Sequence, residues 1–279
     1  MTRLKLLLFK NANIVWFLFG LNLSFIQNKV SSYIPLSFLI IISLILAYLL
    51  LVYVVLVKKR IEPNIKAESL PDETAQKKKA HKGLVVFLSL YSHKKKSFTL
   101  EQLEKCIKEE DYRTLDIPDT SITNYGHTIK AIKANLHHLE YLWIVTTRCS
   151  GDKSKATLDY LPVLKRYLYE ELFKGVSVNI KYGPEYSVET SEDSQICKQT
   201  SDIIQKIYNE SGLREKDIIV DVTGGTASMK VGAVLASLNK DQSVQVIGAR
   251  YNPVDGKPIA GQDAFPIIIG YEPVIKKEF

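Results

Sequence analysis

Cysteine is scarce in this chain: Cys106, Cys149 and Cys197 are the only three in 279 residues. Their spacing is wide and their number odd. No Cys-x-x-Cys pair and no Cys/His cluster occurs, which argues against a zinc site. Each cysteine reads as small buried filler, and the set fits a reducing compartment. Other signatures are missing as well. Without Gly-x4-Gly-Lys-Ser/Thr there is no P-loop, and without Gly-x-Gly-x-x-Gly a dinucleotide site of the NAD type is disfavoured. Zinc-finger, RRM and basic-helix patterns are absent, so long nucleic acid is not an expected partner. No internal repeat or low-complexity tract is visible.

Charge is missing from one long stretch. Tyr33 to Val57 contains no charged residue and is followed at once by Lys58, Lys59 and Arg60. A helix of that length crosses a hydrocarbon core of ~30 Å with some tilt, and the basic flank marks a cytoplasmic end. A first apolar segment, Ile14 to Ile26, is interrupted by Asn22 and Ser24. With Arg3 and Lys5 before it, it predicts a hairpin with both ends inside. Residues 1–60 are therefore expected to form a two-span transmembrane region in a prokaryotic inner membrane, with the lipid bilayer as a partner. Residues 61–82, with Pro63, Pro71 and Lys77-Lys78-Lys79, read as a solvated linker. The net charge of +7 is accounted for by membrane orientation and solubility ahead of an anionic ligand.

From residue 83 to residue 279 strand and helix patterns alternate. Apolar strands are expected at Leu84–Tyr91, Tyr141–Thr147, Val176–Lys181, Ile218–Val222 and Val244–Ala249, with a late strand near Pro266–Tyr271. Between them run helical stripes such as Ile129, Ile132, Leu136 and Leu139, and Leu158, Leu161, Leu164, Leu168 and Leu172. The expected fold class is α/β: a Rossmann-like, mostly parallel sheet with helices on both faces, preceded by the transmembrane hairpin. Ligands of such sheets bind beyond the carboxyl ends of the strands, at the point where strand order reverses.

One such end carries Asp221-Val222-Thr223-Gly224-Gly225-Thr226-Ala227-Ser228-Met229-Lys230. Two glycines let the backbone bend sharply and let a ligand approach. The first amides of the following helix then face outward, where the helix dipole favours an anion. Thr223, Thr226 and Ser228 add hydroxyls, and Lys230 adds a charge from the helix. A plain tight turn capped by Thr226 is the competing reading of the same residues.

Asp-x-Thr-Gly-Gly-Thr followed by Met at the end of a late strand resembles the signature turn of CARF domains, the CRISPR-associated Rossmann-fold sensors. A second stretch agrees: Thr123-Asn124 opening a helix, then Leu142 to Val145 ending in Thr146-Thr147 and a serine-containing loop. One departure is Ala227, where many members carry lysine. The resemblance implies a homodimer or higher oligomer that binds a cyclic oligoadenylate, cyclic tetra-adenylate first among them, with no other cofactor, no metal and no catalytic residue assigned. It nominates Ser89, Tyr91 and Ser92 after the first strand, then Asn124, Thr147 and Ser150, and from the turn Thr223, Gly224, Gly225, Thr226, Ser228, Met229 and Lys230. Tyr251 is a candidate for stacking on adenine. No histidine follows an arginine at the Arg-x4–6-His spacing of HEPN ribonucleases. The implied function is thus a membrane-anchored sensor of type III CRISPR defence whose helices perturb the membrane. A membrane-tethered ring nuclease and a SAVED-like receptor for another cyclic nucleotide are the alternatives.

Overall fold

Side chains of a strand point alternately to opposite faces, and Gly83–Phe87 (β2) is buried along its whole length. Leu84 and Val86 enter one apolar cluster, Val85 and Phe87 the other. A strand of this kind has to lie in the middle of a sheet covered on both sides. The computed structural model describes residues 48, 61–149, 156–190, 192–238, 242–249 and 264–275, and places β2 there. The larger of the chain's two compact units, Pro63–Glu272, is the one described below.

Among the described residues the strands are Ile61–Ser69 (β1), β2, Tyr141–Arg148 (β3), Asn179–Lys181 (β4), Ser187–Glu189 (β5), Ile218–Asp221 (β6), Val244–Gly248 (β7) and Phe265–Ile275 (β8). The sheet order is β1-β8-β7-β6-β2-β3-β4, with β5 also paired to β3. Strands β2 to β7 run parallel, and β8 returns antiparallel to β7. The chain winds outward from β2 through β3 to β4, then resumes on the other side with β6 and β7. That reversal is the switch point of a doubly wound sheet, and it falls between β2 and β6.

Helices cover both faces. Tyr125–Asn135 (α3) and Leu161–Tyr167 (α4) pack on the Leu84 side, through Ile129, Ile132, Val163 and Leu164. Leu100–Glu109 (α2) is attached to the same layer. Asp193–Glu210 (α5) and Ala227–Leu238 (α6) pack on the Val85 side, through Ile203, Ile204, Ile207, Met229 and Ala233.

Two features differ from the sequence expectation. The stretch read as a linker carries β1 and a short helix, Glu73–Lys79 (α1), capped by Asp72. Leu70 donates its N–H to the Pro266 carbonyl, so the segment is tied to the start of β8. The other difference is a correction of the fold class. No helix among the described residues is long and apolar enough to cross a membrane, so the fold described is a mixed α/β sheet with helices, and the transmembrane hairpin expected as part of the fold class finds no support there. The longest described helix, α5, is amphipathic. Its charged residues, Asp193, Lys198, Asp202, Lys206 and Glu210, alternate with the buried Ile196, Ile203, Ile204 and Ile207, so only one face is apolar. The apolar runs at 14–26 and 33–57, on which the hairpin expectation rested, lie outside the described residues apart from Tyr48.

Candidate functional site: the turn at the sheet's switch point

The pairing register brings the ends of β2 and β6 together, with Val86 opposite Asp221. The chain then leaves each strand toward the same spot. Ser89, just past β2, accepts a hydrogen bond from the Gly225 N–H at 3.2 Å. The approach of the two backbones is closer still at Gly224. A Cβ there would stand 2.1 Å from the Phe87 carbonyl oxygen. Gly225 has φ +76°, in the left-handed region that favours glycine.

The turn is held from below and from both sides. Thr223 donates its N–H to Asp221 Oδ1 at 3.0 Å, and its Oγ1 accepts the Ile247 N–H at 2.7 Å. Thr226 Oγ1 accepts the Met229 N–H at 3.3 Å and so caps α6. Lys230 donates its N–H to the Thr226 carbonyl at 3.1 Å, and the earlier amides of the turn have no carbonyl partner within a helix of this kind. Ser228 donates its hydroxyl to Asp193 Oδ1 at 2.6 Å, which links the start of α6 to the start of α5.

Asp221 is buried, and desolvation pushes its carboxyl up to about 6 against the bonds from Thr223 and Gln245 and the pull of the Lys230 ammonium. Ionising it in the folded protein costs on the order of 3 kcal/mol. The sign follows directly. Protonated Asp221 favours the fold, and that contribution is complete below the ordinary carboxylate value of 3.8 and is lost as pH rises through about 6.

A second group of predicted residues sits on the loop after β2. Asn124 donates its side-chain amide to the Leu90 carbonyl and accepts the Ser92 N–H at 2.9 Å, while its own N–H donates to the Ser92 carbonyl at 3.2 Å. Asn124 stands at the N-cap of α3 yet makes no capping bond, because its side chain is given to the loop. Ser92 is exposed there. The next residues form a basic rim. His93 Nδ1 accepts the N–H groups of Lys95 and Lys96, which leaves Nε2 to donate to Asp116 at 3.2 Å. The Lys96 ammonium beside Asp116 holds that carboxyl below its usual range. Lys94 reaches the Ser121 carbonyl at 2.7 Å.

The structure therefore brings Ser89, Thr223, Gly224, Gly225 and Thr226 into one turn, and Ser92 and Asn124 into the adjoining loop. Lys230, half-buried on α6, lies within electrostatic reach of Asp221, one helical turn beyond the position where Ala227 stands. Three predicted residues point elsewhere. Tyr91 is buried among Phe98, Tyr125 and Tyr160 and donates its hydroxyl to the Leu115 carbonyl at 2.7 Å. Met229 is buried in the core beneath the turn. Thr147 is buried, and its amide and hydroxyl both bond to the Thr157 hydroxyl at 2.7 and 3.3 Å. Ser150 and Tyr251 lie outside the described residues. A cavity of about 420 Å³ is found elsewhere, between α1, α3 and the start of β8, and none of the predicted residues lines it.

Sequence reasoning missed Gln245, Asn135 and Asp193. Gln245 had a readable signal, a lone amide inside the apolar run of β7. Asn135 had none, because an asparagine near the end of a helix is ordinary.

The fold and the turn define a Rossmann-like α/β domain with a two-glycine turn at its switch point. No family model matches the chain, and no curated protein does. Among solved structures, one that is similar is described as Can2 from Sulfobacillus thermosulfidooxidans in complex with cyclic tetra-adenylate, at 12% identity and a TM-score of 0.35. The match covers 67% of this chain and 39% of that one, so the chain spans well under half of that protein's length.

Proposed function

We propose that this chain is a receptor for a cyclic oligoadenylate, cyclic tetra-adenylate first among them, and that two copies bind one ring. The observation that carries the reading is the glycine pair at the switch point. Gly224 and Gly225 place a helix start and bare backbone against the end of β2, and only glycine permits that approach. Helix N-termini favour phosphate; Ser89 and Thr226 bond to backbone amides at the turn, and Ser92 is exposed on the loop after β2. The Asp-x-Thr-Gly-Gly-Thr-x-x-Met sequence, similar to the CARF signature, supplies the ligand class.

The outer face of α6 supports the pairing. Ala227, Val231 and Leu235 follow one another at four-residue spacing, and Val231 and Leu235 are 52% and 53% exposed. An apolar stripe on an exposed helix beside a ligand turn fits an isologous contact with a second copy. A ring with repeated phosphates suits two such turns related by a two-fold axis.

The test is calorimetric titration of the full-length chain with the cyclic tri-, tetra- and hexa-adenylates. Saturable binding at one ring per two chains is expected, and absence of binding to all of them overturns the reading. The paired variant Val231→Lys/Leu235→Lys is expected to sediment as a monomer and to lose at least about tenfold in affinity, since a ring held by one turn loses half its contacts. Unchanged sedimentation and affinity would remove α6 from the interface.

A further inference from the structure

Beneath the turn runs a chain of buried side-chain hydrogen bonds whose direction is set by two backbone groups. Asn135, at the end of α3, accepts the His81 N–H on Oδ1 at 3.0 Å and donates from Nδ2 to the Ala131 carbonyl at 3.0 Å. An amide N–H can only donate and a carbonyl can only accept. The Asn135 amide is therefore fixed in one orientation. Its second Nδ2 hydrogen goes to Gln245 Oε1 at 3.1 Å. Gln245 must then turn its own Nε2 the other way, and it donates to Asp221 Oδ2 at 3.1 Å. Asp221 Oδ1 already accepts the Thr223 N–H. Both carboxyl oxygens thus face donors, and a carboxylate is the form that accepts from both. Asn135, Gln245 and Asp221 are all buried, so water does not offer an alternative partner.

We propose that Asn135 and Gln245 are positioning residues of the phosphate-binding turn: Asn135 orients Gln245, Gln245 donates to the Asp221 carboxylate and so opposes the desolvation that favours its neutral form, and the carboxylate holds the Thr223 amide from which the Gly224-Gly225 turn starts. The ligand part of this proposal rests on the function proposed above. The consequence is a site whose geometry is braced from the far side of the sheet, from β7 and α3, by residues that touch no ligand. The charged group facing Asp221 from the packed elements is Lys230 on α6, and β7 and α3 present the neutral amides.

The polarity makes a strict test. In Asp221→Asn the new NH₂ group faces the Gln245 NH₂ group, donor against donor. Gln245 cannot turn over without opposing Asn135, and Asn135 cannot turn over without opposing His81 and Ala131. In the double variant Asp221→Asn/Gln245→Glu the carboxylate moves one residue along the chain and every donor again has an acceptor. For the full-length chain, D221N is expected to weaken cyclic tetra-adenylate binding at least about tenfold and to lower the melting temperature by about 4 °C or more. The double variant is expected to bind within about threefold of the parent, at no more than a charge-neutral cost. In the parent, affinity is expected to weaken as pH falls through about 6. Simple electrostatics has the opposite sign, because loss of the Asp221 charge would tighten a polyanion.

A D221N variant that binds and melts like the parent overturns the proposal, as does a double variant no better than D221N, or a parent affinity that rises steadily as pH falls. If D221N does not fold, the double variant decides: folded and binding supports the proposal, unfolded overturns it. If the parent binds no cyclic tetra-adenylate at any pH, the ligand reading falls by itself. The melting comparison then decides the brace, with rescue in the double variant supporting it and no rescue overturning it.

Discussion

Gly224→Ala is expected to abolish ligand binding and to destabilise the domain. The added methyl would stand 2.1 Å from the Phe87 carbonyl oxygen, a backbone atom inside the central strand, and 3.5 Å from Ser89 Oγ. β2 resists moving, because it is paired with β3 through Phe87 and with β6 through Val86 and is buried on both faces. The turn has to move instead. That breaks the Gly225 N–H to Ser89 bond and lifts the start of α6 away from the end of β2. Overpacking against backbone of this kind costs about 3 kcal/mol or more. Affinity for cyclic tetra-adenylate is expected to fall at least about hundredfold, because a helix start displaced by an ångström no longer aims its amides at one point. Calorimetry and denaturant unfolding of the full-length chain measure the two effects. A folded variant with parental affinity would falsify the turn as the binding site.

Asn124→Ala is expected to give the next largest loss in binding with a smaller loss in stability. The side chain makes two bonds, to the Leu90 carbonyl and from the Ser92 N–H, and both are to backbone of the loop that follows β2. Without them the loop keeps the Asn124 N–H to Ser92 carbonyl bond and the Lys94 N–H to Ile122 carbonyl bond. The loop is then free to open at Leu90 and Ser92. Two hydrogen bonds correspond to a loss of about tenfold to thirtyfold in affinity if the ligand needs the closed loop. Asn124→Asp is not expected to rescue it, because a carboxylate accepts the Ser92 N–H but opposes the Leu90 carbonyl. Hydrogen exchange at Ser92, read beside the affinity, separates the possibilities: faster exchange with unchanged affinity would show that the loop contacts no ligand.

Both predictions turn on residues that are conspicuous in the sequence, the glycine pair most of all. Gly224 and Gly225 are legible because paired glycines between an apolar strand and an Ala-rich helix have few other uses. Asn124 is legible only through the Thr-Asn pair that opens a helix. The strands β2, β3 and β6 are legible because they contain unbroken apolar runs, and β7 because Gln245 alone interrupts its run. β5 is not, because three residues, Ser187 to Glu189, carry no periodic signal and become a strand only by pairing with β3. β1 and α1 read as linker from their prolines and lysines. Composition reports solvation, and both elements are mostly exposed, yet β1 lies beside β8 at the edge of the sheet. The apolar runs behind the two-span hairpin lie outside the described residues apart from Tyr48, and among the described residues no helix is long and apolar enough to cross a membrane.

At the site the division is sharper. By itself the sequence determined that a glycine turn follows a buried strand, that hydroxyls and a lysine flank it, and that the alternating strand and helix pattern puts it at a carboxyl edge. These are properties of local chemistry and of period, and they survive in one dimension. Only the tertiary structure decided that Tyr91, Thr147 and Met229 turn inward to brace or fill the core. Adjacency in sequence does not say which way a side chain points once a loop leaves its strand. Only the tertiary structure, too, decided that Asp221 answers to Gln245 and Asn135, residues 24 and 110 positions apart along their bonds. A hydrogen bond depends on approach within about 3 Å and on which partner donates. Neither is written in the order of the residues until the sheet has closed around them.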